Sequence, residues 1–116
     1  MENKNLSNAV AFLSPGNGFS IINDVTTENE YNGNVIFIDP SLKPSWSSVQ
    51  AQIPSEQWGD VRAQRYIKLQ ASDWTVLPDV PMEASKRTEW ETYRQALRDV
   101  TDQSDPFNIV WPTPPA

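Results

Sequence analysis

Cysteine and histidine are both absent from this chain. Without cysteine there is no disulfide framework, no thiolate nucleophile and no thiolate metal ligand. Without histidine, the commonest general base and the commonest metal-binding side chain are missing as well. Glycine is scarce, with four residues against ten prolines. The cluster Gly16-Asn17-Gly18 has no strand leading into it and no lysine behind it, so it reads as a turn and not as a phosphate-binding loop. No apolar run approaches the roughly 18 residues of a membrane span. Basic residues are few at the start. Residues 1–60 carry two lysines against seven acids, net −5, and residues 61–116 carry seven basic residues against eight acids, net −1. An acidic surface repels phosphate backbones and anionic lipid headgroups, so neither nucleic acid nor a membrane is expected as a partner. Met1-Glu2-Asn3-Lys4-Asn5 lacks the charged and apolar blocks of a signal peptide. The expectation is a soluble protein made and used in a cytoplasm.

What is present is aromatic. Five Trp, three Tyr and four Phe serve a chain of 116 residues. Such side chains dominate small cores and interfaces, and a chain this short buries only part of them. With 38% hydrophobic and 21% charged residues the composition is polar but globular.

Hydrophobic spacing sets the expected elements. Leu6, Ala9, Val10 and Leu13 fall on one helix face, with Asn5 as a candidate cap and Pro15-Gly16 as the stop. Phe19–Asn23 and Val35–Asp39 read as two strands of a hairpin, joined by a long polar loop from Asp24 to Tyr31. The unbroken apolar run Val35–Ile38 suggests a strand covered on both faces. Ser45 caps a helix in which Trp46, Val49 and Ile53 share a face. Pro54 is expected to interrupt it, and Ser55 to restart a helix running to about Leu69. Ser72–Pro81 holds two prolines and two aspartates and reads as an extended, turn-rich connector, not a helix. From Met82 to about Val100 the pattern is helical again, with Trp90, Tyr93, Leu97 and Val100 on one face. Glu83, Arg87 and Glu91, and Arg98 with Asp102, are spaced for exposed pairs. Phe107–Trp111 reads as extended, and Pro112-Thr113-Pro114-Pro115 favours polyproline II.

Catalytic chemistry finds no footing. Asp60 with Arg62, and Glu91 with Arg94, have the spacing of ordinary surface ion pairs. Asp24, Glu28 and Glu30 approach a calcium-loop spacing, but lack the glycine of its sharp turn and its closing bidentate glutamate. No catalytic, cofactor-binding or metal-binding residue is assigned, and the chain is expected not to be an enzyme.

One constellation is specific. It runs from Arg65 to Pro81 (RYIKLQASDWTVLPDVP), continues from Trp90 to Val100 (WETYRQALRDV) and ends from Asn108 to Pro115 (NIVWPTPP). These three ordered blocks resemble the phage tail assembly chaperone family, whose members carry an Arg-started helix, an SDWT-LPD-P connector, a W--YRQ-LRD helix and an NI-WP--P ending. The tail fibre assembly proteins of tailed bacteriophages share the last two in similar form. The resemblance spans about residues 65–115. It implies a protein that assists tail or tail fibre assembly in the host cytoplasm by binding a tail or fibre polypeptide. It is also compatible with a small structural subunit that stays in the virion tail.

The resulting expectation is an α+β fold in two parts. Residues 1–60 form a helix, a two-stranded hairpin and a further helix. Residues 61–116 form a helix–connector–helix module with an extended proline-rich strap. Trp74, Arg94, Arg98 and Trp111 are the candidate partner-binding residues. Trp74 and Trp111 lie in proline-flanked segments, and the two arginines lie one turn apart. A homo-oligomer is a second kind of partner that the sequence leaves open.

Overall fold

The computed structural model describes residues 3–116. The fold is α+β. The described residues form four α-helices, α1 (Asn3–Leu13), α2 (Glu28–Asn34), α3 (Trp46–Ala71) and α4 (Ala84–Arg98), and two short strands, β1 (Phe19–Ile21) and β2 (Val35–Phe37). Single 3-10 turns occupy Pro40–Leu42, Asp73–Val76 and Asp99–Asp102. The chain divides into two compact units, the first ending at Gln57 and the second covering Trp58–Ala116. Helix α3 supplies its first twelve residues to one unit and the remainder to the other.

In the first unit, Leu6, Ala9, Val10, Val25, Tyr31, Val35, Phe37, Val49 and Ile53 make one buried cluster. Leu13, Phe19, Ile21 and Trp46 pack against it. The apolar faces expected of α1 and of the start of α3 are therefore the faces that are buried. Aromatic contacts run through this core. Tyr31 meets Trp46 at 5.3 Å and Phe37 at 6.3 Å, and Phe37 meets Phe19 at 5.9 Å. Tyr31 donates its hydroxyl to the Pro44 carbonyl at 2.7 Å, and burial pushes that hydroxyl up to about 12. Ser45 Oγ accepts from the Ser48 amide at 3.2 Å, the hydrogen bond of an N-cap.

Several local expectations are corrected. Asn5 is not a cap. Helix α1 already begins at Asn3, and Asn5 is buried within it, donating to Gln57. The segment between the strands is not a loop throughout but carries α2. Thr27 Oγ1 accepts from the Glu30 amide at 3.2 Å, while Glu30 Oε1 accepts from the Thr26 amide and hydroxyl. The first bond satisfies the Glu30 amide in the first turn, and the Thr26 hydroxyl, then the Thr26 amide, hold the Glu30 carboxyl below its usual range. Strand β2 is covered on one face only. Val35 and Phe37 are buried, while Ile36 and Ile38 are 57% and 84% exposed. Pro54 does not break its helix, for α3 runs continuously through it. The proline is exposed, so the Gln50 carbonyl that loses its amide partner can turn to water.

The strands pair antiparallel, with Phe19 opposite Phe37, Ser20 opposite Ile36 and Ile21 opposite Val35. Flanking bonds from Ile22 N to Asn34 O (2.9 Å) and from Ile38 N to Gly18 O (2.8 Å) extend the ribbon at both ends. Gly16 adopts φ +79°, so the turn after α1 needs the residue without a Cβ.

Candidate functional site

The second unit is organised around the connector between α3 and α4. Ser72 and Thr75 are buried polar residues, and both are satisfied locally. Ser72 Oγ donates to the α3 carbonyls of Lys68 and Leu69, and Thr75 Oγ1 donates to the Ser72 carbonyl at 2.7 Å. These bonds wind Asp73–Val76 into a 3-10 turn, so the connector is turn-rich as expected but helical over these four residues. A buried hydroxyl that finds a carbonyl within its own turn avoids the cost of an unpaired polar group.

Two arginines of α4 fasten this connector. Arg94 Nη1 donates to Leu69 O at 2.8 Å and to Ser72 Oγ at 2.7 Å, and its Nη2 bonds Asp73 Oδ1 at 3.0 Å. The Arg94 side chain is only 13% exposed, whereas that of Asp73 is 60% exposed. Seven residues earlier, Arg87 donates to the carbonyls of Thr75 and Val80, each at 3.2 Å. A seven-residue spacing puts both guanidinium groups on one helix face. The planar fork of arginine suits this task, since it reaches two acceptors at once. The spacing of Arg87 suits pairing with Glu83 and Glu91, but its donors go to the connector instead.

The fastening presents Trp74. Its ring meets Trp90 at 5.6 Å, and Trp90 meets Tyr93 at 5.7 Å, both edge to face. Trp74 nevertheless stays 47% exposed. Trp74, Pro81, Met82, Trp90 and Pro115 line an open groove of about 410 Å³, with Lys86 and Glu83 in its wall. On α4, Tyr93 and Leu97 are buried, and Val100 is buried in the turn that follows. The face expected from sequence is therefore the packed one, with Trp90 half-buried at its start.

The remaining candidates occupy separate environments. Arg98 donates through Nε and Nη2 to Gln95 Oε1, and its own carbonyl accepts from Arg65. It is exposed and bonds within its own helix surface, not to Asp102. Trp111 is half-buried, with Lys68 Nζ 5.2 Å from its ring centroid. Gln103 pairs both ways with the Val110 backbone, at 3.0 and 2.9 Å. Lys86 Nζ donates to Ala116 O at 3.0 Å. Before this tail, Asp105 Oδ1 accepts from the Phe107 amide and Oδ2 from the Asn108 side chain, forming a turn. The Asn108 bond, then the Phe107 bond, holds the Asp105 carboxyl below its usual range. Of the four candidates, the fold brings Trp74 and Arg94 to one place, through Asp73. Arg87 and Lys68 were missed. The seven-residue spacing of Arg87 from Arg94 was the signal for the first; nothing local in sequence marks the second.

Residues 58–116 match the family described as phage tail assembly chaperone protein. The chain belongs to the phage tail assembly chaperone family. The match spans the second compact unit from end to end, so the family's sequence pattern and this structural unit are the same object. The fastened connector, the exposed Trp74 and the tail all belong to the family portion of the chain. The first unit lies outside it. No curated protein and no solved structure matches the chain.

Proposed function

We propose that this protein is a non-catalytic factor that assists bacteriophage tail or tail fibre assembly by binding a tail or fibre polypeptide in the host cytoplasm. The observation that carries this reading is the family match over the whole second unit, in which a Trp is held half in the open. An apolar side chain anchored by neighbours and left exposed beside a groove is the form taken by an interface anchor. Trp74 is the proposed anchor, with Trp111 and Arg98 as further contacts. Arg94 acts one step back, setting the position of the connector on which Trp74 rides. Binding would cover apolar or strand-edge surface on the partner before that surface is buried in the finished tail, which suppresses wrong association.

The proline-rich tail is proposed to act as a strap along α4. The Lys86–Ala116 and Gln103–Val110 bonds support this reading, together with a second open groove whose wall includes Thr92, Tyr93, Pro112 and Thr113. Prolines lower the entropy lost when such a segment is laid down. Removing residues 107–116 should lower the stability of the protein by a few kcal/mol, roughly the loss of one buried aromatic contact set. Unchanged stability would exclude the strap.

The functional test is co-expression with each tail and fibre polypeptide of the encoding phage. The soluble fraction of one of them should rise in the presence of this protein and fall back with Trp74→Ala. If no tail or fibre polypeptide responds, the proposal fails. A stoichiometric amount of the protein in purified particles would favour a retained tail subunit instead.

A further inference from the structure

The first unit lies outside the family match, and it carries a surface that the proposed role of the second unit does not use. In the β1–β2 ribbon, alternation sends Phe19, Ile21, Val35 and Phe37 to the core. The other face then presents Gly18, Ser20 and Ile22 from one side, and Asn34, Ile36 and Ile38 from the other. No side chain on it is charged. Ile22, Ile36 and Ile38 are 56%, 57% and 84% exposed. Gly18 is part of the design of this face. A Cβ there would stand 2.5 Å from Ile38 Cδ1, so the absent side chain lets Ile38 lie flat across the neighbouring strand.

Among the described residues, the charged side chains nearest in sequence to the ribbon's two exits are acidic. Asp24 follows β1 and Asp39 follows β2, so an aspartate stands near either end of the ribbon. Lys43 is engaged elsewhere, donating to Asn32 and lying 4.7 Å from the Tyr31 ring centroid. Residues 1–60 as a whole carry two lysines against seven acids, net −5. A second copy of this protein would bring a like charge against it, which opposes self-association.

We infer that the outer face of the β1–β2 ribbon is a second docking surface, specific for a protein segment with an apolar centre and lysine or arginine flanks. The apolar side chains lie on Ile22, Ile36 and Ile38, and the flanking cations face the acids at the ribbon ends. The inference does not depend on the role proposed for the second unit, because it concerns other residues.

The test is amide NMR on the intact chain, titrated with a peptide of about eight residues that has valines at its centre and lysines at both ends, and with the counterpart whose ends are glutamate. Shifts should appear at residues 18–22 and 34–38 with the lysine peptide and be absent with the glutamate peptide. Raising salt from about 0.1 M to about 1 M, which shortens the screening length from about 10 Å to about 3 Å, should weaken binding. The double variant Ile36→Ser, Ile38→Ser should weaken it by about tenfold or more. Both positions are exposed, so the variant should unfold at the same denaturant concentration as the parent. Asp24→Asn should weaken it less, through charge alone. The inference is overturned if the ribbon amides do not shift, if the double variant binds as the parent does, or if both peptides bind alike. It is also overturned if the chain dimerises through this face, which would make a second copy its occupant.

Discussion

Replacing Arg94 with alanine should unfasten the connector, and the size of the effect follows from the three bonds it makes. The pair with Asp73 is the weakest, because the Asp73 side chain is 60% exposed; exposed ion pairs contribute about 0–1 kcal/mol. The bonds to Leu69 O and Ser72 Oγ are short, at 2.8 and 2.7 Å, and Ser72 is buried. A hydrogen bond to a charged group contributes about 1.5–3 kcal/mol. Leu69 O also accepts from the Ser72 amide and hydroxyl, so removing the arginine does not orphan it. The expected cost of Arg94→Ala is therefore about 2–4 kcal/mol, and of Asp73→Ala less than about 1 kcal/mol. Arg94→Lys should fall between, since an ammonium keeps the charge but loses the fork. The assay is urea unfolding followed by tryptophan fluorescence, which Trp58, Trp74, Trp90 and Trp111 report within this unit. Hydrogen exchange at residues 72–76 should quicken in the alanine variant alone. Equal losses for Arg94→Ala and Asp73→Ala would refute the reasoning, because the bond to the exposed carboxylate would then be the dominant one.

Other outcomes follow from the same geometry. Leu97→Ala should cost about 2–5 kcal/mol, because Leu97 is fully buried. Glu89→Ala, on the exposed side of α4, should stay within about 0.5 kcal/mol by the same measurement. Pro54→Ala should raise stability by about 1–3 kcal/mol by restoring a backbone donor inside α3; a loss would mean that the proline shapes the helix usefully. Tyr31 has its hydroxyl raised from 10.0 to about 12, so its contribution is complete below pH 10 and is lost as pH climbs toward 12. Tyr31→Phe should cost about 1 kcal/mol at neutral pH through the Pro44 bond and flatten the alkaline limb of a stability–pH curve.

What could be read from sequence was what spacing encodes. Leu6, Ala9 and Val10, then Val49 and Ile53, then Tyr93, Leu97 and Val100 are buried as their periods required. The misreadings share a cause, which is that a local rule was outweighed by its surroundings. Pro54 breaks helices in isolation, yet here one lost bond is outweighed by a helix of 26 residues packed at Val49, Ile53 and Val61. The run Val35–Ile38 looks doubly covered, but the short strand finds a core on one side only. Helix α2 was legible after all, in Thr27 followed three residues later by Glu30, a signal hidden among polar residues. For the site, the blocks of the family pattern located the connector and Trp74. The seven-residue spacing of Arg87 from Arg94 puts both on one face but leaves their acceptors open, because spacing shows which side chains share a face and not which carbonyls lie opposite.

The central claim is participation in tail assembly, and the most direct measurement is a count of complete tails. A phage deleted for this protein should yield normal heads with few tails or fibres by electron microscopy. The intact chain supplied in trans should restore them, and the Trp74→Ala chain should not. A normal count of tailed, fibre-bearing particles without the protein would contradict the account.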